Sequence, residues 1–313
     1  MTTRREFIAK TALASLLPLS GFSFPTTFDI EDNDSLDVNI FSKHLQFLDY
    51  KTTGEMAAEM GFSGVDLTVR PNGHVLPERV KTDLPLAVDA IRKSGINCKM
   101  ITTTIQSINN PLDVDILETA SAQNISFYRP DWFKYKEGMR MENSLLFYQQ
   151  EIRKLSELNK KLGLIGCYQN HAGTRVGSSF WEVKKIIDTS DNKYFGTQYD
   201  VRHAMVEGGN SWENGLKLLH GNIKVIVLKD FKWGKVNGKW EAINVPVGEG
   251  MVNFDYYFKL LKKYKLKPPV SLHLEYDLGG AEKGNRTITV DKKVVFDAMK
   301  RDLMNVQKLW KEA

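Results

Sequence analysis

Two short stretches of this chain place carboxylates and imidazoles where a β-like run stops: Gln198-Tyr199-Asp200-Val201-Arg202-His203 and Ser271-Leu272-His273-Leu274-Glu275-Tyr276-Asp277. Hard carboxylate oxygens suit Mg, Mn or Ca, and carboxylates mixed with imidazole suit Mn, Zn or Co. On a strand, positions i and i+2 share a face, so His273 and Glu275 point the same way. Asp200 and His203 are a turn apart and can both reach inward. Each residue also has a plainer use. Asp200 can cap a helix or bind a loop, and Glu275 can bridge to Lys229 or Arg129. Taken jointly, the two acidic ends read as a divalent-metal pair.

For ends so far apart in sequence to meet, the fold must bring them together. Short β runs alternate with helical stretches along the whole chain. Strands are expected at 38–41, 64–70, 97–103, 125–128, 164–168, 195–199, 223–228 and 270–274. Helices are expected at 51–60, 84–94, 112–122, 141–162, 178–188, 211–219, 254–263 and 292–311, with Ser178 or Ser179 capping the fifth. Leu145, Tyr148, Ile152, Leu155, Leu158 and Leu162 fall in steps of three and four, one buried stripe that Gly163 stops. Eight β–α units indicate an α/β fold, a (β/α)8 TIM barrel. A doubly wound sheet is the rival, but no Gly-x-Gly-x-x-Gly turn follows the first strand. In a barrel every strand's C-terminal end opens on one mouth. Its candidate lining is Lys43, His44, Asp66, Arg70, His74, Gln106, Arg129, Gln169 to His171, Asp200, His203, Lys229, Asp230, Glu249, His273 and Glu275.

The net charge of +5 is spread over 313 residues with no block of like charge, which argues against nucleic acid as a partner. The N-terminus reads as an address. Arg4-Arg5-Glu6-Phe7 and Lys10 precede an apolar run from Thr11 to Phe24, and the pattern resembles a twin-arginine export signal. The run is too short to span a membrane as a mature helix, and no Cys follows it to carry a lipid. Cleavage is expected between Ser20 and Asp29. The expectation is therefore an export signal and linker over 1–28, a single barrel over 36–313, a periplasmic location and no integral membrane segment in the mature protein. Cys98 and Cys167 read as buried small hydrophobes on different strands rather than a disulfide.

Several weak motifs fall in an informative order: Gly64 to Val75 (GVDLTVRPNGHV), Tyr168-Gln169-Asn170-His171, Asp200-Val201-Arg202-His203, Leu228-Lys229-Asp230, Val247-Gly248-Glu249-Gly250 and Leu274-Glu275-Tyr276. From about Asn39 onward the chain resembles the sugar phosphate isomerase/epimerase superfamily, the xylose-isomerase-like barrels that also include endonuclease IV. The resemblance implies a metal held by Glu, Asp, His and Glu from successive strand ends. The Asp falls on Asp200, the last Glu on Glu275, and a substrate-touching His on His203. Two positions depart: Gln169 stands where many relatives have Glu, and Val227 where many have His. The reduced site then binds its metal weakly, recruits His171 or His273, or has lost the metal. The implied chemistry is proton abstraction beside a carbonyl, giving isomerisation, epimerisation or elimination. Glu275 is ligand or base, and Lys229, Arg129 and His203 contact the oxyanion and hydroxyls. Arg70, His74, Arg129, His171 and Trp233 are expected to bind a small-molecule carbohydrate. Trp132 and Trp240 are further loop candidates for stacking on a sugar. Export argues against a phosphorylated substrate and for a free sugar or a keto-glycoside, including 3-keto-glycoside elimination. The alternatives are a carbohydrate-binding barrel without chemistry and an endonuclease-IV-like phosphodiesterase, for which six scattered His are too few.

Overall fold

The computed structural model describes residues 34–313. The twin-arginine stretch, the apolar run and the expected cleavage region lie outside them. Among the described residues the chain runs β1 (Val38–Phe41), α1 (Tyr50–Met60), β2 (Gly64–Val69), α2 (Val80–Lys93), β3 (Asn97–Thr103), α3 (Pro111–Ala122), β4 (Phe127–Arg129), α4 (Met141–Leu162), β5 (Ile165–Gln169), α5 (Phe180–Ile187), β6 (Phe195–Asp200), α6 (Val201–Gly208), α7 (Trp212–Leu219), β7 (Ile223–Leu228), β8 (Asp230–Val236), β9 (Lys239–Val245), α8 (Phe254–Lys263), β10 (Val270–Leu272) and α9 (Lys292–Glu312). Strands β1 to β7 pair in order, and β10 closes the ring between β7 and β1. Every pair in the ring is parallel. This is the expected (β/α)8 barrel.

Barrel strands are buried on both faces, so their outward and inward residues do different work. Outward residues such as Ile40, Leu67, Tyr199, Ile226 and Leu228 join the helices in the main core. Inward, Met100, Cys167 and Val225, with Phe127 and Ile165, make a small apolar plug below the mouth. Cys98 lies in the main core and Cys167 in the plug, both buried and free, as small hydrophobes should be. Burial pushes the Cys98 thiol up to about 12, so it stays protonated. Helix α4 buries Tyr148, Ile152 and Leu155, and its C-cap Gly163 takes the left-handed conformation that glycine tolerates best. Ser179 is the residue at the N-cap of α5, but its side chain makes no capping bond.

Two elements depart from the pattern read in the sequence. Helix α6 follows β6 with no loop, begun by Asp200, whose side chain accepts from the His203 backbone N–H. Strands β8 and β9 form an antiparallel hairpin immediately after the seventh barrel strand. Asn237 and Gly238 turn it, both at positive φ, as a two-residue Asn-Gly loop requires. Trp233 and Trp240 therefore sit on strands of this ribbon rather than in loops.

Candidate active site at the barrel mouth

Register places the acidic ends. Val227 of β7 lies opposite Asp200 on β6 and opposite Ser271 on β10. Two residues on, Lys229 and His273 keep the inward face, and Glu275 follows His273 above the strand end. Lys229 therefore rises between the two carboxylates. Its Nζ lies 2.9 Å from His203 Nε2, 3.2 Å from Asp200 Oδ2 and 3.6 Å from Glu275 Oε2. Of these three acceptor atoms, His203 Nε2 takes a hydrogen bond and the two carboxylates pair with the ammonium as ions. Asp200 is fully buried, whereas Glu275 keeps 27% of its side chain exposed at the mouth. Lys43 Nζ meets the other Glu275 oxygen at 3.2 Å. Burial alone would raise the Glu275 carboxyl, but Lys229, His273 and Lys43 outweigh it and hold the group well below its usual range. Both plainer uses read from the sequence are thus realised: Asp200 caps α6 through Oδ1, and Glu275 bridges to Lys229.

The imidazoles stay neutral. Burial and the neighbouring Lys229 hold His203 well below its ordinary value, and Arg202 stands 3.3 Å from its other nitrogen. His203 therefore receives the Lys229 hydrogen bond and is a poor proton acceptor for anything else. His171 packs against it at 4.1 Å with the rings tilted by 38°, and burial takes His171 down to about 4. The Nδ1–H of His171 donates to the Ala172 carbonyl, which leaves its Nε2 with the lone pair. Trp132 packs on the far side of His171 at 4.2 Å, and the Arg129 guanidinium lies 4.1 Å over that indole. On the opposite wall His273 stacks on Phe41 at 4.1 Å, and Arg70 lies 5.5 Å over the same phenyl ring. His273, held near 4 by burial, joins Ser271, whose hydroxyl donates to Asp66.

Other expected residues lie elsewhere. His74 turns to Thr53 of α1, away from the carboxylates. Trp233 packs on Phe231 and is 43% exposed on the hairpin. The His44 ring accepts the Leu274 backbone N–H and so holds the exit of β10. Gln106 donates to Asp131. Asp230 collects the backbone N–H groups of Phe231, Gly248, Gly250 and Val252, which shapes the loop carrying Glu249. Asp230→Ala is expected to lower the unfolding free energy by about 3 kcal/mol in urea titration, because it strands four donors, those of Phe231 and Val252 in buried contacts.

The pattern of the xylose isomerase-like TIM barrels, a family model that also carries the name AP_endonuc_2, matches residues 55–289. The chain belongs to that family. Xylose isomerase-like barrels of known structure superpose on it at low identity. D-psicose 3-epimerase with D-tagatose from Clostridium cellulolyticum H10 is 12% identical, with TM-score 0.66, covering 88% of this chain and 99% of that one. The 3-keto-D-glucoside 4-epimerase from E. coli is 11% identical, with TM-score 0.64, covering 86% and 99%. A family member from Mycobacterium smegmatis in complex with magnesium is 10% identical, with TM-score 0.63, covering 88% and 98%. No curated protein matches the chain in sequence.

A divalent ion like that of the magnesium complex does not fit this xylose isomerase-like mouth. Of the expected ligands, Asp200 is engaged at both oxygens by His203, Gln169 and Lys229, Glu275 is paired with Lys43 and Lys229, and His273 meets Ser271 with its other nitrogen 3.7 Å from Glu275. Gln169 turns its amide N–H to Asp200 because Arg129 donates to its oxygen. Val227 offers no donor. Among the described residues no three His, Cys, Asp or Glu converge as a metal site needs. A dication 3–4 Å from the Lys229 ammonium would be repelled by about 10 kcal/mol at an effective dielectric near 20. Phe41, Arg202 and Asn244 were not among the residues singled out for the site. Arg202 binds Asn244 Oδ1 and the Ala242 carbonyl, and Asn244 reaches the Glu275 carbonyl, so the hairpin is tied to both acidic strand ends. The sequence signal for this was Asn237-Gly238 between alternating strands.

Proposed function

We propose that this barrel abstracts a proton from the carbon beside a carbonyl of a non-phosphorylated sugar or keto-glycoside in the periplasm. One observation carries the reading: a buried lysine ammonium is fixed between an ionised carboxylate open to the mouth and a neutral histidine. Glu275 is the base. Lys229 faces the oxygen on which negative charge develops, and the enediolate is stabilised by a charge already in place. His203 orients Lys229, and Asp200 compensates its charge. Arg129 and His171, with Trp132 packed against both, supply hydroxyl contacts. Trp132 also lines a cleft with Gln106, Asp131, Lys134 and Arg175, a polar groove with an aromatic wall suited to a sugar ring. Its indole N–H is buried without a protein partner.

From the enediolate, return of the proton to another face or carbon gives epimerisation or isomerisation. Loss of the group on the β carbon gives elimination, which in a 3-keto-glycoside releases the aglycone across C1 and C2. The structural similarity to a 3-keto-glucoside epimerase and a psicose epimerase supports a carbonyl-adjacent reaction. The mouth lysines Lys43 and Lys229 are already paired with Glu275, which supports a neutral substrate. The test is incubation with free sugars and 3-keto-glycosides in deuterated water. Deuterium uptake beside the carbonyl, or released aglycone, is the expected result. Ligand-induced stabilisation with neither exchange nor elimination would instead leave a carbohydrate-binding barrel.

A further inference from the structure

We infer that the Lys229 ammonium takes the place of a divalent cation in this barrel, so that the oxyanion is held by a charge tethered to β7. The inference deepens the proton-abstraction reading and rests on it for the role of that charge. Three features of the site point the same way. The Lys229 ammonium is satisfied by His203, Asp200 and Glu275, a set that would otherwise offer imidazole and carboxylate donors to a metal. Val227, two residues earlier on the same inward face, is fully buried and apolar, so the stem of Lys229 rises from a position without a donor. Gln169 presents N–H rather than a lone pair to Asp200, and Arg129 locks that orientation. Each feature alone removes a metal donor. Together they replace coordination bonds by one hydrogen bond and two ion pairs around one nitrogen.

The arrangement also differs in what it does to substrate. A metal ion leaves with a chelator and brings two charges. Lys229 cannot leave and brings one, balanced locally by Asp200. A single charge on a flexible stem can follow the oxygen as its charge grows, whereas its three acceptors return it between turnovers.

The full-length chain, isolated without chelator, tests this by metal analysis and by thermal unfolding with EDTA or Mn2+. The expected result is far less than one ion per chain and a Tm that neither reagent moves. A stoichiometric ion, or a Tm that falls on chelation and recovers with Mn2+, would overturn the inference. The second arm restores the missing donors and removes the ammonium in Gln169→Glu/Val227→His/Lys229→Met. This folded variant is expected to gain a Mn2+-dependent rise in Tm of about 5 °C at saturating ion. A variant that is folded by circular dichroism yet gains no response would also count against the substitution of one cation for the other. These readouts follow the ion and not turnover, so loss of the proton-abstraction reading in deuterated water leaves their outcome intact.

Discussion

Lys229→Met is expected to lower kcat by about 100- to 1,000-fold in the deuterium-exchange assay. Methionine keeps the length and apolar stem of lysine and removes only the charge and its hydrogens. The loss therefore reads the electrostatic contribution rather than a cavity. The same change acts on the fold. Asp200 is fully buried, and its Oδ2 would keep only the Gln169 amide. Breaking one partner of a buried pair strands the other, at about 3–5 kcal/mol. Urea titration is expected to show that drop, and Lys229→Arg separates the two effects. Arginine retains a charge near Asp200 and so recovers stability, but its planar fork cannot place one nitrogen among three acceptors and leaves kcat low. Equal recovery of stability and rate by arginine would make Lys229 a charge balance only.

How much of this site was legible in the sequence follows from how each part is encoded. The barrel was legible because parallel strands buried on both faces leave continuous apolar runs, such as Ile223 to Leu228, separated by amphipathic helices. Asp200 and Glu275 were legible because strand ends in this fold converge. Lys229 was read as a partner of Glu275 and as an oxyanion contact, but its place between both carboxylates was not legible: only the register of β7 with β6 and β10 sets it there. Strand period says which face a residue takes, but not how far a flexible four-carbon stem bends back. Helix α6 escaped because it is eight residues long and starts at a residue already assigned to the site. Its cap and the site share Asp200. The hairpin was missed for a different reason. Its Asn-Gly turn was present, but the β–α count was already complete without it.

His74 and Arg70 show the limit from the other side. Both follow β2, and both were grouped at the mouth by proximity in sequence. Gly73 and the bridge between Val69 and Val75 turn the chain back, so Arg70 stays over Phe41 while His74 swings to α1. A loop that reverses within five residues can send neighbours to different surfaces, and sequence distance carries no sign of it.

Glu275→Gln is expected to cost more in rate than any other single change at the mouth, about 1,000- to 10,000-fold in kcat, because it removes the base itself. The amide keeps the shape and can still accept from Lys43 and Lys229, so the fold should stay intact. Its effect on stability depends on pH with a defined sign. The carboxyl of Glu275 is depressed in the folded chain, so its pairing stabilises the protein fully above the usual glutamate value near 4.5 and is lost as pH falls through the depressed value. Wild type and Glu275→Gln should therefore differ in Tm at neutral pH and converge in strong acid. The same depression sets the rate profile. A carboxylate so well paired is a weak base in the free enzyme. It gains basicity only when a substrate oxygen draws Lys229 away, which couples proton removal to oxyanion formation. The acid limb of kcat/KM should lie below about pH 4.5 in the wild type and move upward in Lys229→Met, where that cation no longer depresses the carboxyl. An acid limb that stays fixed in Lys229→Met would place the base elsewhere, and His171, with its free Nε2 and a value near 4, would be the group to replace next.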